Sequence, residues 1–141
     1  GMRADWDAAE WLNKKITGAP IIVEAIKDSS GRNSYGDGAR ISEMTGLPAV
    51  LGWYSSHENL WRNSNPEIGK RAADIDTIYN SEDIELTKQL LKKYQVDLIY
   101  VGEMERQVYK EGKFDKFEQV GQAIYKNNKV KIYRVAIADS E

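Results

Sequence analysis

The sequence predicts a mixed α/β fold, a single-domain three-layer sandwich with a mostly parallel sheet and a C-terminal antiparallel hairpin. Helix-forming stretches alternate with short apolar runs, which is the pattern of strands joined by helical crossovers. Three of these runs are almost continuously apolar, as strands buried on both faces are. Near the C-terminus, two further strand segments flank Asn127-Asn128, a pair that tolerates positive φ and suits a tight hairpin.

The first predicted elements are a helix and a strand. Asp5 or Asp7 can cap a helix that runs to about Lys15, because apolar residues recur there at helical spacing. A Thr-Gly-Ala-Pro sequence then breaks the helix. Residues 20–26 are nearly all apolar and predict the first buried strand.

A polar segment separates this strand from the next one. Residues 27–40 are rich in Gly, Ser, Asp and Asn and predict a loop of about 14 residues, a length at which loops tend to carry function. Residues 41–44 predict one helical turn that ends at Gly46. Residues 48–53 predict the second apolar strand.

The central part of the chain is predicted to be mainly helical. Ser55 and Glu58 have the spacing of a capping box and indicate a short helix. Asn65 followed by Pro66 is typical of another helix start, and Ser81 is expected to cap the helix after it.

The last third predicts strands around a broken helical segment. Residues 97–102 predict the third buried strand, and residues 102–118 predict broken helix and loop. Residues 123–126 and 129–135 form the hairpin. The alternation in its second strand predicts one exposed face.

Composition restricts the functional classes. The 141 residues are 41% apolar and 30% charged, which fits one folded domain. The net charge of −2 and the absence of a basic stripe argue against nucleic-acid binding. Without Cys, thiol catalysis and disulfides are excluded, and a single His leaves little room for a metal site.

The first two residues suggest how the chain was produced. Gly1 before Met2 is typical of a remnant of tag cleavage, so residues 1–2 are assigned to that remnant and residues 3–141 to one soluble domain. No apolar run approaches the roughly 20 residues that cross a bilayer. The domain is nevertheless expected to come from a larger membrane protein.

Ligands of such sheets bind beyond the carboxyl ends of the strands. Residues 27–40, 54–62 and 103–109 leave those ends and carry unusual chemistry. The Gly-rich first segment lacks a complete nucleotide-binding motif, which favours a connecting loop over a phosphate loop. Aromatic and polar residues of the second segment suit a sugar ring, although its two Trp side chains equally suit core packing.

Two acidic positions complete the predicted polar patch. Glu24 interrupts the first strand near its carboxyl end and needs a partner, which Arg40, Arg62 or Arg71 could supply. A purely structural ion pair is an equally good interpretation. Glu105 and the adjacent arginine, after the third strand, are expected to join the same patch. His57 and Glu58 are adjacent and point about 100° apart on a helix, so they do not form an obvious catalytic dyad.

The order of motifs adds a family resemblance. TGAPIIVEA, YGDGARISEMTGLPAVLGWYSSHENLWR, RAADIDTIY, LLKKYQVDLIYVGEMER and KIYRV follow one another. Together they resemble the C-terminal soluble part of the YYY family of multi-spanning membrane proteins, over about residues 11–135. The sequence also resembles oligosaccharyltransferase catalytic subunits more weakly. It lacks their Trp-Trp-Asp-Tyr-Gly signature after the first strand, which argues against a peptide acceptor.

The resemblance implies an extracytoplasmic domain of a membrane-embedded glycosyltransferase that uses lipid-phosphate-linked sugars. It implies no catalytic residue, metal or cofactor in this domain, since the catalytic acids and any divalent metal would belong to the transmembrane part of the same polypeptide. The expected partners are that part and a lipid-linked sugar or glycan acceptor. The residues expected to bind are Glu24, Tyr35, Arg40, Trp53, His57, Glu58, Trp61, Arg62, Arg71, Glu105 and Arg106.

Two other functions remain open from the sequence. A stand-alone module for glycans or nucleotides would bind its ligand with measurable affinity in isolation. A structural or assembly domain would instead use its Arg and Glu side chains in internal contacts.

Overall fold

A computed structural model describes residues 2–25, 40–50, 66–109 and 114–136. Its helices and strands follow one another in this order: α1 (Met2–Lys15), β1 (Ile22–Val23), α2 (Arg40–Thr45), α3 (Pro66–Asn80), α4 (Ile84–Lys93), β2 (Leu98–Val101), α5 (Glu103–Val108), a 3-10 turn (Phe114–Lys116), α6 (Phe117–Val120), β3 (Gly121–Lys126) and β4 (Lys131–Val135).

The sheet is mixed, with strand order β1-β2-β4-β3. β1 and β2 are parallel, whereas β4 is antiparallel to both of its neighbours. A single parallel bridge also joins Ile22 to Ala49. The mixed α/β fold and the C-terminal hairpin are therefore confirmed. The strand pairs in the described ranges are not mostly parallel, however, because β4 inserts between β2 and β3 and makes two antiparallel pairs.

Apolar side chains from both faces of the sheet form two core clusters, and helices cover each face. This follows from the period of two along each strand, which sends alternate side chains to opposite faces. One cluster packs under α1 and α2 and includes Ala8, Leu12, Ile22, Ile41, Leu98, Tyr100 and Ile132. The other packs under α3, α4 and α6 and includes Val23, Ile75, Tyr79, Leu91, Ile99, Phe117 and Tyr133.

Helix α1 ends at Lys15 as predicted but begins at Met2, earlier than either proposed cap. The predicted strand over residues 20–26 is reduced to β1. Beyond β1, the amide of Ala25 donates to the side chain of Glu105 instead of to a neighbouring strand. The strand therefore ends where a side chain takes over its hydrogen bonds.

The second predicted strand, over residues 48–53, is described only to Val50, and it pairs with β1 through the single bridge at Ala49. The short helix predicted after it, over residues 55–62, lies outside the described ranges. The helical turn over residues 41–44 is confirmed as α2, and Gly46 follows it with a φ of +75°.

The cap of α4 differs from the prediction. Asp83, not Ser81, is its N-cap, and its carboxylate accepts a hydrogen bond from the amide of Leu86. The hydroxyl of Ser81 instead accepts a hydrogen bond from the amide of Asp83 at 3.0 Å. Both side chains are good caps, and the folding of the preceding turn decides which one faces the helix.

The hairpin turn is closed by a side chain and not by a left-handed backbone. The Asn127 carboxamide oxygen accepts hydrogen bonds from the amides of Lys129 and Val130, both at 2.8 Å. Neither asparagine of the turn has a positive φ. The predicted exposed face of β4 is also wrong, because Ile132 and Tyr133 are both buried, one in each core cluster. A strand between two neighbours in this sheet is covered on both sides.

Candidate functional site

Two of the residues predicted to bind, Glu24 and Glu105, lie where β1 and β2 end. We call this region the carboxyl edge and define it by residues 24–25 and 102–105. Glu24 follows β1 and is only 1% exposed. One of its carboxylate oxygens accepts a hydrogen bond from the amide of Ile41 at 3.2 Å. Because Ile41 lies in the first turn of α2, this carboxylate sits beside N–H groups that a helix leaves unsatisfied.

Glu105 joins the ends of the two parallel strands. It is fully buried, and its two carboxylate oxygens accept hydrogen bonds from the amides of Gly102 and Ala25, each at 2.8 Å. Gly102 is the N-cap of α5 and Glu105 is three residues further on, which is the position from which a carboxylate reaches back to the capping residue. One side chain thus caps α5 and ties it to the exit of β1.

A buried tyrosine supports the same edge from the α3 face. The hydroxyl of Tyr79 lies 2.7 Å from the carbonyl of Tyr100 and 3.0 Å from that of Val23. Its ring stacks on Tyr109 with the centroids 4.9 Å apart. Burial, together with the nearby charge of Asp76, raises the pKa of Tyr109, so this phenol remains a neutral donor to that carboxylate. These contacts hold the ends of β1 and β2 together, and we call them, with those of Glu24 and Glu105, the frame of the carboxyl edge.

The hydrogen bonds described for Glu24 and Glu105 go to the backbone of the domain itself. Carboxylates that accept amide N–H groups in the interior hold the chain in place and are poorly suited to act as an acid and base pair. We therefore assign the two side chains to the framework of the edge. The segments that leave this frame carry the other predicted site residues.

The two arginines predicted to join the patch have their described contacts elsewhere. Arg71 donates to the carbonyl of Val50 at 2.9 Å, and its guanidinium lies 5.3 Å from the ring centroid of Tyr94. Arg106 is exposed and donates to the carbonyl of Lys129 in the hairpin turn. Each arginine thus donates a hydrogen bond to a backbone carbonyl outside its own helix.

Several predicted residues cannot be placed. Arg40 begins α2, and only its backbone is described. The other predicted binding residues lie outside the described ranges: Tyr35, Trp53, His57, Glu58, Trp61 and Arg62. Within the ranges that are described, no three His, Cys, Asp or Glu side chains come together as a metal site. In the same ranges, no helix is both long and apolar enough to cross a membrane.

A second polar cluster was not predicted as a site. The carboxylate of Asp74 accepts hydrogen bonds from the hydroxyl of Tyr94 and from the ammonium of Lys93, and it lies 3.8 Å from the ammonium of Lys70. Burial alone would raise the pKa of Asp74, but the bonds from Tyr94 and Lys93 hold it below its usual value. The i,i+4 spacing of Lys70 and Asp74 was a signal for one of these pairs.

A buried lysine was missed as well. Lys116 is 4% exposed and donates to the carbonyl of Ser81, and its ammonium lies 5.4 Å from the centroid of the Phe117 ring. Burial lowers the pKa of Lys116 to about 8. The surrounding sequence, FDKFE, did not indicate that the lysine side chain would be buried.

Neither the models of known protein families nor the curated proteins contain a match to this chain.

Proposed function

We propose that this chain is the extracytoplasmic accessory domain of a membrane-embedded glycosyltransferase. In this proposal the domain helps to bind a lipid-phosphate-linked sugar or a glycan acceptor, and the transmembrane part of the same polypeptide carries out the chemistry. The motif order and its resemblance to the YYY family support this assignment. A domain of this kind needs no cofactor of its own.

The observation that carries the proposal is the direction of the chain at the carboxyl edge. Ala49 pairs in parallel with Ile22, and β1 pairs in parallel with β2. Parallel strands end at the same edge, so β1, β2 and the bridged residue Ala49 direct the chain to one edge of the sheet. Glu24 and Glu105 fix the backbone there through three amides. A frame of this kind can position loops without taking part in the chemistry.

The sequence assigns roles to the residues that follow this frame. Trp53 and Trp61 would stack on or pack around a sugar ring, and Glu58 would accept hydrogen bonds from its hydroxyl groups. Arg40 and Arg62 would contact phosphate, for which the guanidinium group is well suited. Glu24, which the sequence suggested as an acceptor for hydroxyls, is reassigned to the frame because it is buried.

The test is a calorimetric titration of this chain with a short-chain lipid-phosphate-linked sugar, with the free sugar and a nucleotide sugar as comparisons. We expect Arg62→Gln to weaken binding of the lipid-linked sugar about tenfold or more, because a charge-assisted contact is lost. Arg134→Gln is the matched control, since Arg134 is exposed on β4 opposite Leu98, at the amino end of β2, and it should leave the affinity unchanged.

The same substitution site can be tested in the full-length polypeptide. Arg62→Glu should abolish sugar transfer while the domain stays folded. Normal transfer by this variant, or equal affinities of the Arg62→Gln and Arg134→Gln variants, would contradict the assignment. Tight binding of a free glycan or nucleotide sugar with no preference for the lipid-linked form would favour a stand-alone binding module.

One observation favours a second candidate, a structural or assembly domain. Two of the acidic residues that the sequence offered for ligand binding, Glu24 and Glu105, are buried and accept hydrogen bonds from the backbone of the domain. If none of the three ligands binds, and removal of this domain prevents assembly of the full-length protein, the structural function is the correct one.

A further inference from the structure

Trp6 of α1 is the most exposed large apolar side chain in the described ranges. Its relative exposure is 60%, whereas that of Leu86, the next most exposed, is 36%. The indole belongs to neither core cluster. Tryptophan is the side chain with the largest apolar surface to bury, so packing within this part of the chain does not account for its presence here.

Helices α1 and α2 both begin at the carboxyl edge. The hydroxyl of Tyr100, in β2, donates to the carboxylate of Asp5 in α1, and the amide of Ile41 in α2 donates to the carboxylate of Glu24. Each helix then runs toward the amino ends of the parallel strands, because β1 follows α1 and the residue that bridges β1 follows α2. The two helices therefore run in the same direction, and Trp6 lies in the half of α1 that is nearer the carboxyl edge.

The direction of the Trp6 side chain follows from that of Asn13. The side-chain amide of Asn13 donates to the carbonyl of Met44, at the end of α2, so this side of α1 faces α2. Residues seven apart on an α-helix differ in direction by only about 20° and are separated by about 10 Å along the axis. Trp6 is therefore on the side of α1 that faces α2, about two turns closer to the carboxyl edge than Asn13.

An exposed carboxylate lies beside Trp6 on the same helix. Glu10 is four residues further on, a spacing that brings two helical side chains next to each other. No hydrogen bond or ion pair is found for Glu10 among the residues that the structure describes. The carboxylate of Asp7, by contrast, is 3.5 Å from the guanidinium of Arg3. Trp6 and Glu10 thus present an apolar ring and a hydrogen-bond acceptor together, and we call them the Trp6 platform.

We propose that the Trp6 platform binds the sugar ring of the ligand at the carboxyl edge. A sugar has an apolar C–H face, which packs on an indole, and hydroxyl groups, which donate hydrogen bonds to a carboxylate. The charge of Glu10 disfavours an anionic lipid surface as the partner of Trp6. This inference rests on the proposed function and deepens it, because it adds a described helix to the residues that recognise the sugar.

The experiment is a titration of the whole chain, followed through the NMR signals of its tryptophan indole N–H groups. The chain has four tryptophans, and the signal of Trp6 is the one that disappears in the Trp6→Phe variant. The probes are a short-chain lipid-phosphate-linked sugar, the same lipid phosphate without the sugar, and vesicles of phosphatidylcholine and phosphatidylglycerol. We expect a saturable shift of the Trp6 signal with the lipid-linked sugar and no shift with the other two probes.

Variants measured by calorimetry test the contribution of the platform to affinity. Trp6→Ala should weaken binding of the lipid-linked sugar about threefold or more, because the stacking surface is lost, and Trp6→Phe should restore most of the affinity. Glu10→Ala should also weaken binding, by about threefold. Leu86→Ala is the matched control, since it removes the other exposed apolar side chain from α4 on the opposite face of the sheet. All of these positions are exposed, so the variants should fold, which thermal unfolding will check.

The outcomes separate this inference from the proposed function. If the wild type binds the lipid-linked sugar and the Trp6→Ala and Leu86→Ala variants bind it equally well, the Trp6 platform is overturned while the proposed function stands. If the sugar-free lipid phosphate or the vesicles shift the Trp6 signal as much as the lipid-linked sugar does, a lipid is the partner of Trp6 and the inference is overturned. If the wild type binds no lipid-linked sugar, both the inference and the proposed function are wrong.

Discussion

Replacing Glu105 by glutamine should destabilise the domain although the side chains have the same shape. Glu105 is fully buried and accepts two amide hydrogen bonds, both at 2.8 Å. A carboxamide has one oxygen and one NH₂ group, so one of the two amides would face another donor. Hydrogen bonds to a charged group contribute about 1.5–3 kcal/mol each. We therefore expect a loss of about 2–3 kcal/mol in the free energy of unfolding, a large part of the 5–15 kcal/mol typical of a domain.

Urea unfolding followed by circular dichroism measures this loss. With the slope unchanged, the midpoint should fall by about 1–2 M. The matched control is Glu103→Gln in the same helix, whose ion pair with Lys129 is exposed to screening by solvent, so the midpoint should move much less. If the Glu105→Gln variant is as stable as this control, Glu105 does not hold the two strand ends together and our description of the carboxyl edge is wrong.

Three other predictions concern stability. Gly121→Ala should cost about 1–3 kcal/mol in urea unfolding, because an added Cβ would lie 2.3 Å from the backbone oxygen of Arg134; Gln122→Ala is the exposed control. The pKa of Lys116 is lowered from 10.5 to about 8, so between these pH values the unfolded chain binds more protons and the free energy of unfolding rises with pH. This rise, at most about 1.4 kcal/mol per pH unit for one proton, should be absent in Lys116→Met, and an equal rise in both proteins would refute it. Since the pKa of folded Asp74 is lowered, its ionised form contributes stability above the usual carboxyl pKa that is lost as pH falls. Asp74→Asn should therefore lose less stability on acidification than the wild type, as measured by urea titrations at neutral and acidic pH.

The fold class followed from the sequence because periodicity reports directly on burial. Helix α3 begins at Pro66 and β2 spans Leu98–Val101, as the apolar patterns predicted. The pairing of the strands was harder to predict from the sequence. The position of β4 between β2 and β3 depends on contacts across the whole chain, and no local pattern encodes which neighbour a strand selects.

The sequence indicated that acidic residues lie at the ends of the buried strands, but it did not indicate the groups that donate hydrogen bonds to them. Glu24 and Glu105 were both singled out as acids at the ends of buried strands, and both are buried there. Glu105 binds the amide of Ala25, which is 80 residues away in sequence, and every residue except proline offers such an amide. Side-chain charge can suggest an arginine as the partner, as it did for Arg71, but it cannot reveal a backbone donor.

The measurement that tests the account most directly is an amide-shift map of the whole chain with the lipid-phosphate-linked sugar. The proposed function predicts saturable shifts at the carboxyl edge, including the amides of Ala25, Ile41 and Gly102. Shifts confined to residues away from this edge would contradict the proposed site. The absence of saturable shifts anywhere in the chain would contradict a ligand-binding function for this domain.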